Sequence, residues 1–555
     1  MEISLSDLEA LLNRRLSIGD VYRLLAKLKC EVEEVSGDKV VLEASSDRPD
    51  LFSVEGIARA LRPWLELKPK DITVKDSSVN GYAEEIPQRP YVALAVVRDL
   101  VLTDEAIKQM MQLQEKIADT YGRRRRKISI GIYDLDKIKP PIYYKLADPD
   151  ETRYRPLNEP KEMTLREVLE KTDKGQAYGY IIKDMEKYPI LADSRGEVLS
   201  LVPILNSDDY KVTAETKNVL IDSTGASLND VVNAVTIMAY NIAERSRTGI
   251  IEVVAVNYVS GLVVKAPRTS AEPIEVRVRE VNRLLGTSLS AHEIAGLLRR
   301  FYYVIEDLKE DSLIVKAPVY RIDVKTWVDV AEDVAMAYGY ERLGEEATSL
   351  PLTQTIGRIH PIEYVSRKVR DILVGLGFQE VANYMMSSRA TQLHLLEVGD
   401  REMFVVENPR SERFEGLRLW LAPQLVEVVA ENAEKATKSK LMIFEVGDVV
   451  IPDDTFETSA RVERRVGFAI THEKATLTDG LAYVKAMFSE LGVKPSFEKS
   501  HVSGFLPERT AAIKACGGDV GFVGEVNPRI LLRLGLKNPL VIAEVSLSKI
   551  ISNCW

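Results

Sequence analysis

Four carboxylates stand close together past the middle of the chain: Asp323, Asp329, Glu332 and Asp333, in the stretch PVYRIDVKTWVDVAEDVAMAYGYERL that begins at Pro318. Asp329, Glu332 and Asp333 follow an i, i+3, i+4 spacing, so on a helix they share one face. Like charges at that spacing repel by roughly a few tenths of a kcal/mol for each exposed pair. A hard cation with oxygen ligands removes the repulsion, and Mg²⁺ suits such a site because it takes one or two carboxylates and keeps its waters. Acids in a first helical turn also offset the positive end of the helix dipole. The spacing alone leaves both readings open.

The element that must hold these acids is a helix. Val328, Ala331, Ala335 and Tyr338 recur at helical steps and predict its buried face, with Pro318 in extended chain before it and Gly339 as its stop. Asp323 lies in the preceding extended segment and can fold back towards the helix.

The same order of elements occurs twice. Residues 1–67 predict helix, helix, hairpin, helix: Ser6 caps the first helix, Ile18-Gly19-Asp20 opens the second, and Ser36-Gly37-Asp38 turns the hairpin. Residues 279–343 repeat this, with a helix stopping at Gly286, a capping box of Ser290 and Glu293, two strands, and the acidic helix. Arg48-Pro49-Asp50 stands where Arg321-Ile322-Asp323 stands, so we read a duplicated unit of roughly 65 residues. The first copy has Ala58-Arg59 near the places of Glu332-Asp333. Folding of the unit therefore does not require the acidic face, which favours a functional reading of the carboxylates.

At 555 residues the chain exceeds one core, and its length predicts roughly three or four domains. With 74 basic and 84 acidic residues, net charge −10, a protein that coats nucleic acid non-specifically is excluded, but a local basic patch is not. The three cysteines, Cys30, Cys516 and Cys554, are spaced for neither a CxxC pair nor a zinc knuckle, and predict a reduced, cytosolic setting without a disulfide framework. The N-terminus does not read as a signal peptide, and no apolar run is long enough to span a membrane.

Residues 68–90 are polar and read as a linker or edge segment. In the domain that follows, a strand from Tyr91 leads to a helix capped by Thr103 and ended by Gly122. The densest basic run comes next, Arg123-Arg124-Arg125-Arg126-Lys127. It reads either as a solvated helix end favoured by the dipole or as a phosphate contact. Asn206-Ser207-Asp208 and Asp222-Ser223-Thr224-Gly225 read as turns between short strands. No histidine or cysteine lies between Tyr91 and Ala255, which excludes a Ser-His or Cys-His nucleophile inside this domain. Residues 344–360 predict a second linker. Strands expected at 380–386, 403–407, 441–449, 465–471, 511–515 and 540–545, and helices at 423–435, 480–491 and 528–534, predict a largely antiparallel layer with helices packed on it.

Five stretches in order, SSDRPDLFSVEGIARAL, RRKISIGIYDLDKIKPPIYY, PILNSDDYKVTAETKNVLIDSTG, PVYRIDV…DVAEDVAMAYGYERL and LMIFEVGDVV, carry a resemblance to the beta subunit of phenylalanyl-tRNA synthetase in its archaeal and eukaryotic form. The resemblance implies a cytoplasmic α2β2 tetramer with an alpha subunit that holds the catalytic centre and uses ATP and phenylalanine to charge tRNA(Phe). It implies a magnesium ion on Asp323, Asp329, Glu332 and Asp333 at the interface with alpha. It also implies a pocket that hydrolyses mischarged Tyr-tRNA, lined by Leu191, Ser200, Asp222 and Thr224 with Asn206 and Ser207 nearby. The alternative is a tRNA-binding assembly scaffold with an inactive pocket.

The expected fold is α+β and multidomain: a helix-hairpin-helix unit (1–85), an α/β editing-type domain (90–256), the second copy of the small unit (272–344), and a class II synthetase-like antiparallel domain without its own chemistry (358–555). Arg413 and Arg418 in ERFEGLRLWL lack the neighbours of a class II ATP site. Arg300-Phe301-Tyr302 departs from the Gly-Phe turn usual in the family, leaving the end of that helix open.

Overall fold

In a computed structural model of the chain, residues 1–344, 357–432 and 440–554 are described; most of the expected 344–360 linker and the end of the expected 423–435 helix lie outside them. The chain divides into two units, Met1–Leu350 and Pro351–Trp555.

Within the first unit, two small three-stranded sheets have the same build. One orders Glu2–Ser4, Lys39–Ala44 and Cys30–Ser36; the other orders Ile274–Arg277, Ser312–Lys316 and Val304–Leu308. Each is covered by three short helices, Leu5–Leu12, Ile18–Ala26 and Val54–Leu61 in one, Val278–Leu285, Ala291–Leu298 and Trp327–Tyr338 in the other. The first helix is capped by Ser4 rather than Ser6, because the Ser4 hydroxyl accepts from the Asp7 amide. The second helix of each copy is followed by a non-glycine residue in the left-handed region, Lys29 and Tyr302. Tyr302 therefore takes the position for which glycine is the usual residue.

The copies face each other through those two residues. Lys29 Nζ pairs with Glu332 at 2.5 Å, and the Tyr302 hydroxyl donates to the Arg59 carbonyl at 2.9 Å.

The stretch of chain between the copies, residues 73–266, forms a ten-stranded sheet. Its order is Leu205–Asn206, Val198–Leu201, Tyr188–Ala192, Ile142–Ala147, Thr73–Ala83, Ile250–Tyr258, Tyr91–Val97, Val219–Gly225 and Ile128–Asp134, with Val263–Ala266 beside Ile250–Tyr258. The segment read as a linker thus contributes a central strand, Thr73–Ala83, parallel to both neighbours. Its polar residues sit mainly in an exposed first half, while Val79, Gly81 and Ala83 are buried, so composition hid its strand character. Helices Asp104–Asp119 and Leu228–Ala243 bury apolar faces against the sheet.

The second unit carries a seven-stranded sheet in the order Gln379–Glu380, Leu441–Pro452, Ala460–Thr471, Leu540–Ser546, Gly518–Val526, Phe505–Ala515 and Ser496–Lys499. Every pairing is antiparallel except the first. The strand expected at 403–407 is reduced to an isolated bridge between Val405 and Gly416. Cys516 and Cys554 form a disulfide with Cα atoms 5.5 Å apart, correcting the expectation of none. The last helix, Leu547–Cys554, packs on the hairpin whose turn holds Cys516, so two residues remote in sequence become neighbours. The mixture of helix-covered sheets is an α+β, multidomain architecture.

Candidate functional site

The strand Ile128–Asp134 alternates: its isoleucines point one way, and Ser129, Gly131 and Tyr133 the other. This strand forms one end of the ten-stranded sheet, and Val198–Leu201 and Leu205–Asn206 form the other. The two ends meet around a cavity of about 100 Å³. The Tyr133 hydroxyl bridges them, lying 2.7 Å from Asp222 Oδ1, 2.9 Å from Ser200 Oγ and 3.5 Å from Asn206 Oδ1. Asp222 is paired with Gly131 on the neighbouring strand. A Cβ at Gly131 would collide with both the Asp222 carboxylate and the Tyr133 hydroxyl, which is why glycine occupies the middle of this strand.

Burial governs the charge here. It pushes the Asp222 carboxyl up to about 7, against the opposing pull of the Tyr133 hydrogen bond and the Arg89 charge. Burial likewise raises the Tyr133 phenol well above its ordinary value, so it remains a neutral donor.

On the more solvated side, Gln114, Glu115, Arg125 and Lys174 complete the cavity. Glu115 is held below its usual value, because Arg125 and Lys174 together outweigh its burial. Gln114 donates to the Ile130 carbonyl at 2.8 Å, while its own Oε1 is buried without a partner.

Ser200, Asn206 and Asp222 line the cavity, whereas Leu191, Thr224 and Ser207 stand behind its wall. Leu191 pairs with Ser200 on the adjacent strand and packs into the main core. Thr224 bonds Ser129 at 2.9 Å and accepts from buried Arg89 at 2.9 Å. Ser207 accepts from the Asp209 amide and caps a short turn. The DSTG segment is not a turn, as expected from composition, but the fully buried end of strand Val219–Gly225. Tyr133, Arg89 and Ser129 satisfy Asp222 and Thr224 there, while the Ser223 hydroxyl is buried without a partner.

Sequence reasoning missed Tyr133, Gln114, Glu115 and Lys174; the one available signal was a glycine interrupting an apolar strand.

The basic run is divided. Arg125 is buried, donates to the Pro203 and Ile204 carbonyls at 3.2 and 2.7 Å, and stacks on Tyr178. It clamps the two ends of the sheet together. Lys127 pairs with Asp230 at 2.9 Å. Arg123, Arg124 and Arg126 remain at the surface.

The four acids of the second small unit are all engaged by other groups. Asp323 and Asp333 share Arg321, at 2.7 and 2.9 Å, and Asp333 also accepts from the Tyr303 hydroxyl at 2.7 Å. Burial raises the Asp333 carboxyl despite Arg321. Asp329 closes a capping box with Thr326. Although burial opposes it, amide donation from Lys325 and Thr326 holds Asp329 below its usual value. Glu332 pairs with Lys29. Val328 is exposed, and Val330, Val334 and Met336 join Ala331 and Ala335 on the buried face instead. Among the described residues, no three His, Cys, Asp or Glu side chains are gathered closely enough to hold a metal ion. The donor chemistry suits a hard cation, and the first copy supplies a mirror of the arrangement in which Arg48 grips Asp50 at 2.8 and 2.9 Å.

Residues 107–248, which contain the cavity, match the B3/4 domain family. Residues 274–340, which contain the four acids, match the tRNA synthetase B5 domain family, and 347–547 the phenylalanyl tRNA synthetase beta chain CLM domain family. The chain is 42% identical, over all of its length and 98% of the other protein, to the phenylalanine–tRNA ligase beta subunit of Thermofilum pendens. It belongs to the phenylalanine–tRNA ligase beta subunit family. The family's member from Pyrococcus furiosus is 37% identical, with 98% of each chain covered. The crystal structure of an N-terminal fragment of the phenylalanyl-tRNA synthetase beta subunit from Pyrococcus horikoshii matches with a TM-score of 0.58 at 42% identity, covering 61% of this chain and 99% of the fragment. Among the described residues, no helix is long and apolar enough to cross a membrane.

Proposed function

We propose that this chain is the proofreading and docking subunit of an α2β2 phenylalanine–tRNA ligase in the cytoplasm. Its alpha partner carries the ATP-dependent charging of tRNA(Phe), and the cavity hydrolyses mischarged Tyr-tRNA(Phe). The observation that carries this reading is the set of buried Ser200 and Asp222 with half-buried Asn206 in a cavity without a histidine or cysteine nucleophile. A hydrophobic charging pocket rejects an added hydroxyl only ~10²-fold, whereas a pocket of buried polar groups rejects the analogue lacking it far better.

Hydrolysis here is attack by water on the ester carbonyl carbon. The bond to the terminal ribose oxygen breaks, releasing tyrosine and tRNA. Gln114 Oε1 and the Glu115 carboxylate are acceptors that can orient the water, and the cations of Arg125 and Lys174 favour the negative charge that grows on the carbonyl oxygen. Leu191, Thr224 and Ser207 support the wall that holds Ser200 and Asp222.

To hold magnesium, Asp323, Asp329, Glu332 and Asp333 would have to leave their present partners and converge in the assembled complex, where the ion's charge would neutralise this acidic face as alpha docks. In the chain alone, Arg321 and Lys29 supply that neutralisation. The second unit is read as a non-catalytic class II-like scaffold. In support, Arg418 is buried on Glu445 at 2.6 Å and on the Asp448 carbonyl at 2.7 Å, so its guanidinium is not free for a nucleotide.

Deacylation of Tyr-tRNA(Phe) by the complex, with Asp222→Ala and Thr224→Ala variants, tests the reading. Loss of activity in both supports it. Full activity in both removes the cavity as the site, and an inactive wild-type complex favours the scaffold alternative.

A further inference from the structure

We propose that Tyr133 is a positioning residue that makes the cavity select a hydroxyl-bearing side chain; the inference rests on the deacylase reading above. A phenol has a single proton. Of the three acceptors around the Tyr133 oxygen, Asp222 Oδ1 is the nearest, at 2.7 Å, and a carboxyl acceptor makes the stronger bond. With Asp222 ionised, the phenol proton therefore points to Asp222, and Ser200, at 2.9 Å, donates its own proton to the phenol oxygen. Both donors of this trio are thereby consumed internally. What Ser200 and ionised Asp222 turn towards the cavity is acceptor lone pairs, beside the Asn206 amide, which offers both an acceptor and donors.

The Tyr133 wall presents acceptors and favours a ligand that brings a donor there, whereas the donors of Arg125 and Lys174 lie on the cavity's more solvated side. Tyrosine supplies one at the para position. Phenylalanine places a C–H there and leaves buried acceptors unpaired, which costs more than a missing bond in water. Without the Tyr133 hydroxyl, the Ser200 proton is released to satisfy Asp222 or to face the cavity, and the penalty on phenylalanine falls.

A second observation points the same way. A Cβ at Gly131 would strike both the Asp222 carboxylate and the Tyr133 hydroxyl. The backbone thus leaves room for this one pairing, with the Tyr133 ring passing over a residue that has no side chain. Tyr133 also ties together strands from opposite ends of the sheet, so it sets the separation of the residues that would face the ligand.

The test is deacylation of Tyr-tRNA(Phe) and Phe-tRNA(Phe) by the assembled complex carrying Tyr133→Phe, with its thermal unfolding followed alongside. The variant should hydrolyse Phe-tRNA(Phe), and its Tyr/Phe ratio of kcat/KM should fall by about tenfold. Gly131→Ala, which displaces the same pair from the other side, should lower the ratio in the same direction. An unchanged ratio, or an equal loss toward both substrates, overturns the role given to Tyr133 while leaving the deacylase reading intact. A wild-type complex that spares both substrates overturns the two together.

Discussion

The hydroxyls of Tyr133 and Ser200 lie 2.9 Å apart, although their strands belong to opposite ends of one ten-stranded sheet. This closure creates the cavity. It also explains why Asp222, on the strand next to Tyr133, titrates in a dry environment although it belongs to a polar segment.

The Asp222 carboxyl, at about 7 in the folded protein against roughly 3.9 in an unfolded chain, makes stability depend on pH. Between those values the folded state holds a proton that the unfolded state has released. The stabilisation is therefore complete below pH about 4 and is lost as pH rises through about 7. Asp222→Asn keeps an acceptor for Tyr133 and removes the loss. Thermal unfolding should show the variant gaining on wild type by about 2–4 kcal/mol more at pH 8 than at pH 4. An identical difference at both pH values would mean that Asp222 ionises normally.

Arg125 and Arg126 are adjacent in the basic run but differ in burial. Arg125→Met leaves the carbonyls of Pro203 and Ile204 without their donor and should destabilise by about 2–4 kcal/mol. Arg126→Met, at the surface, should stay within about 0.5 kcal/mol. Denaturation of the two variants side by side distinguishes a clamp from a solvated run.

Reversing Arg123, Arg124 and Arg126 to glutamate, with Arg125 retained, addresses the phosphate-binding reading. The salt slope of tRNA binding should fall by about one for every phosphate these arginines neutralise in the wild type. Binding titrations over a range of salt would show an unchanged slope if these side chains face only water.

Asp329→Ala combined with Glu332→Ala should weaken association with alpha and flatten its dependence on magnesium. Sedimentation of the complex across a magnesium titration provides the measurement. Equal assembly by mutant and wild type at every magnesium concentration would leave the acids to their partners Thr326 and Lys29.

Much of the chain was readable from local chemistry. The capping box of Ser290 and Glu293, the stop at Gly286 and the hairpin at Gly37 depend on neighbours a few residues away, and the structure places all three as spacing predicts. The duplicated unit was equally accessible, because Arg48-Pro49-Asp50 and Arg321-Ile322-Asp323 make the same short-range ion pair. Candidate residues Ser200, Asn206 and Asp222 could be named only through the family resemblance, because read alone nothing in their segments distinguishes them from ordinary strands and turns.

What folding alone decided is long-range partnership. Thr73–Ala83 becomes a central strand because its two neighbours supply a pairing that its polar side chains do not announce. Cys516 and Cys554 meet because a helix returns to a distant hairpin. Arg125 is a clamp rather than a solvated charge because the turn at Pro203 and Ile204 folds over it. Tyr133 reaches Ser200 only when both ends of a sheet close around one space. Hydrogen bonds act over about 3 Å, so such partners are set by the path of the whole backbone and leave no periodic trace in the residues themselves.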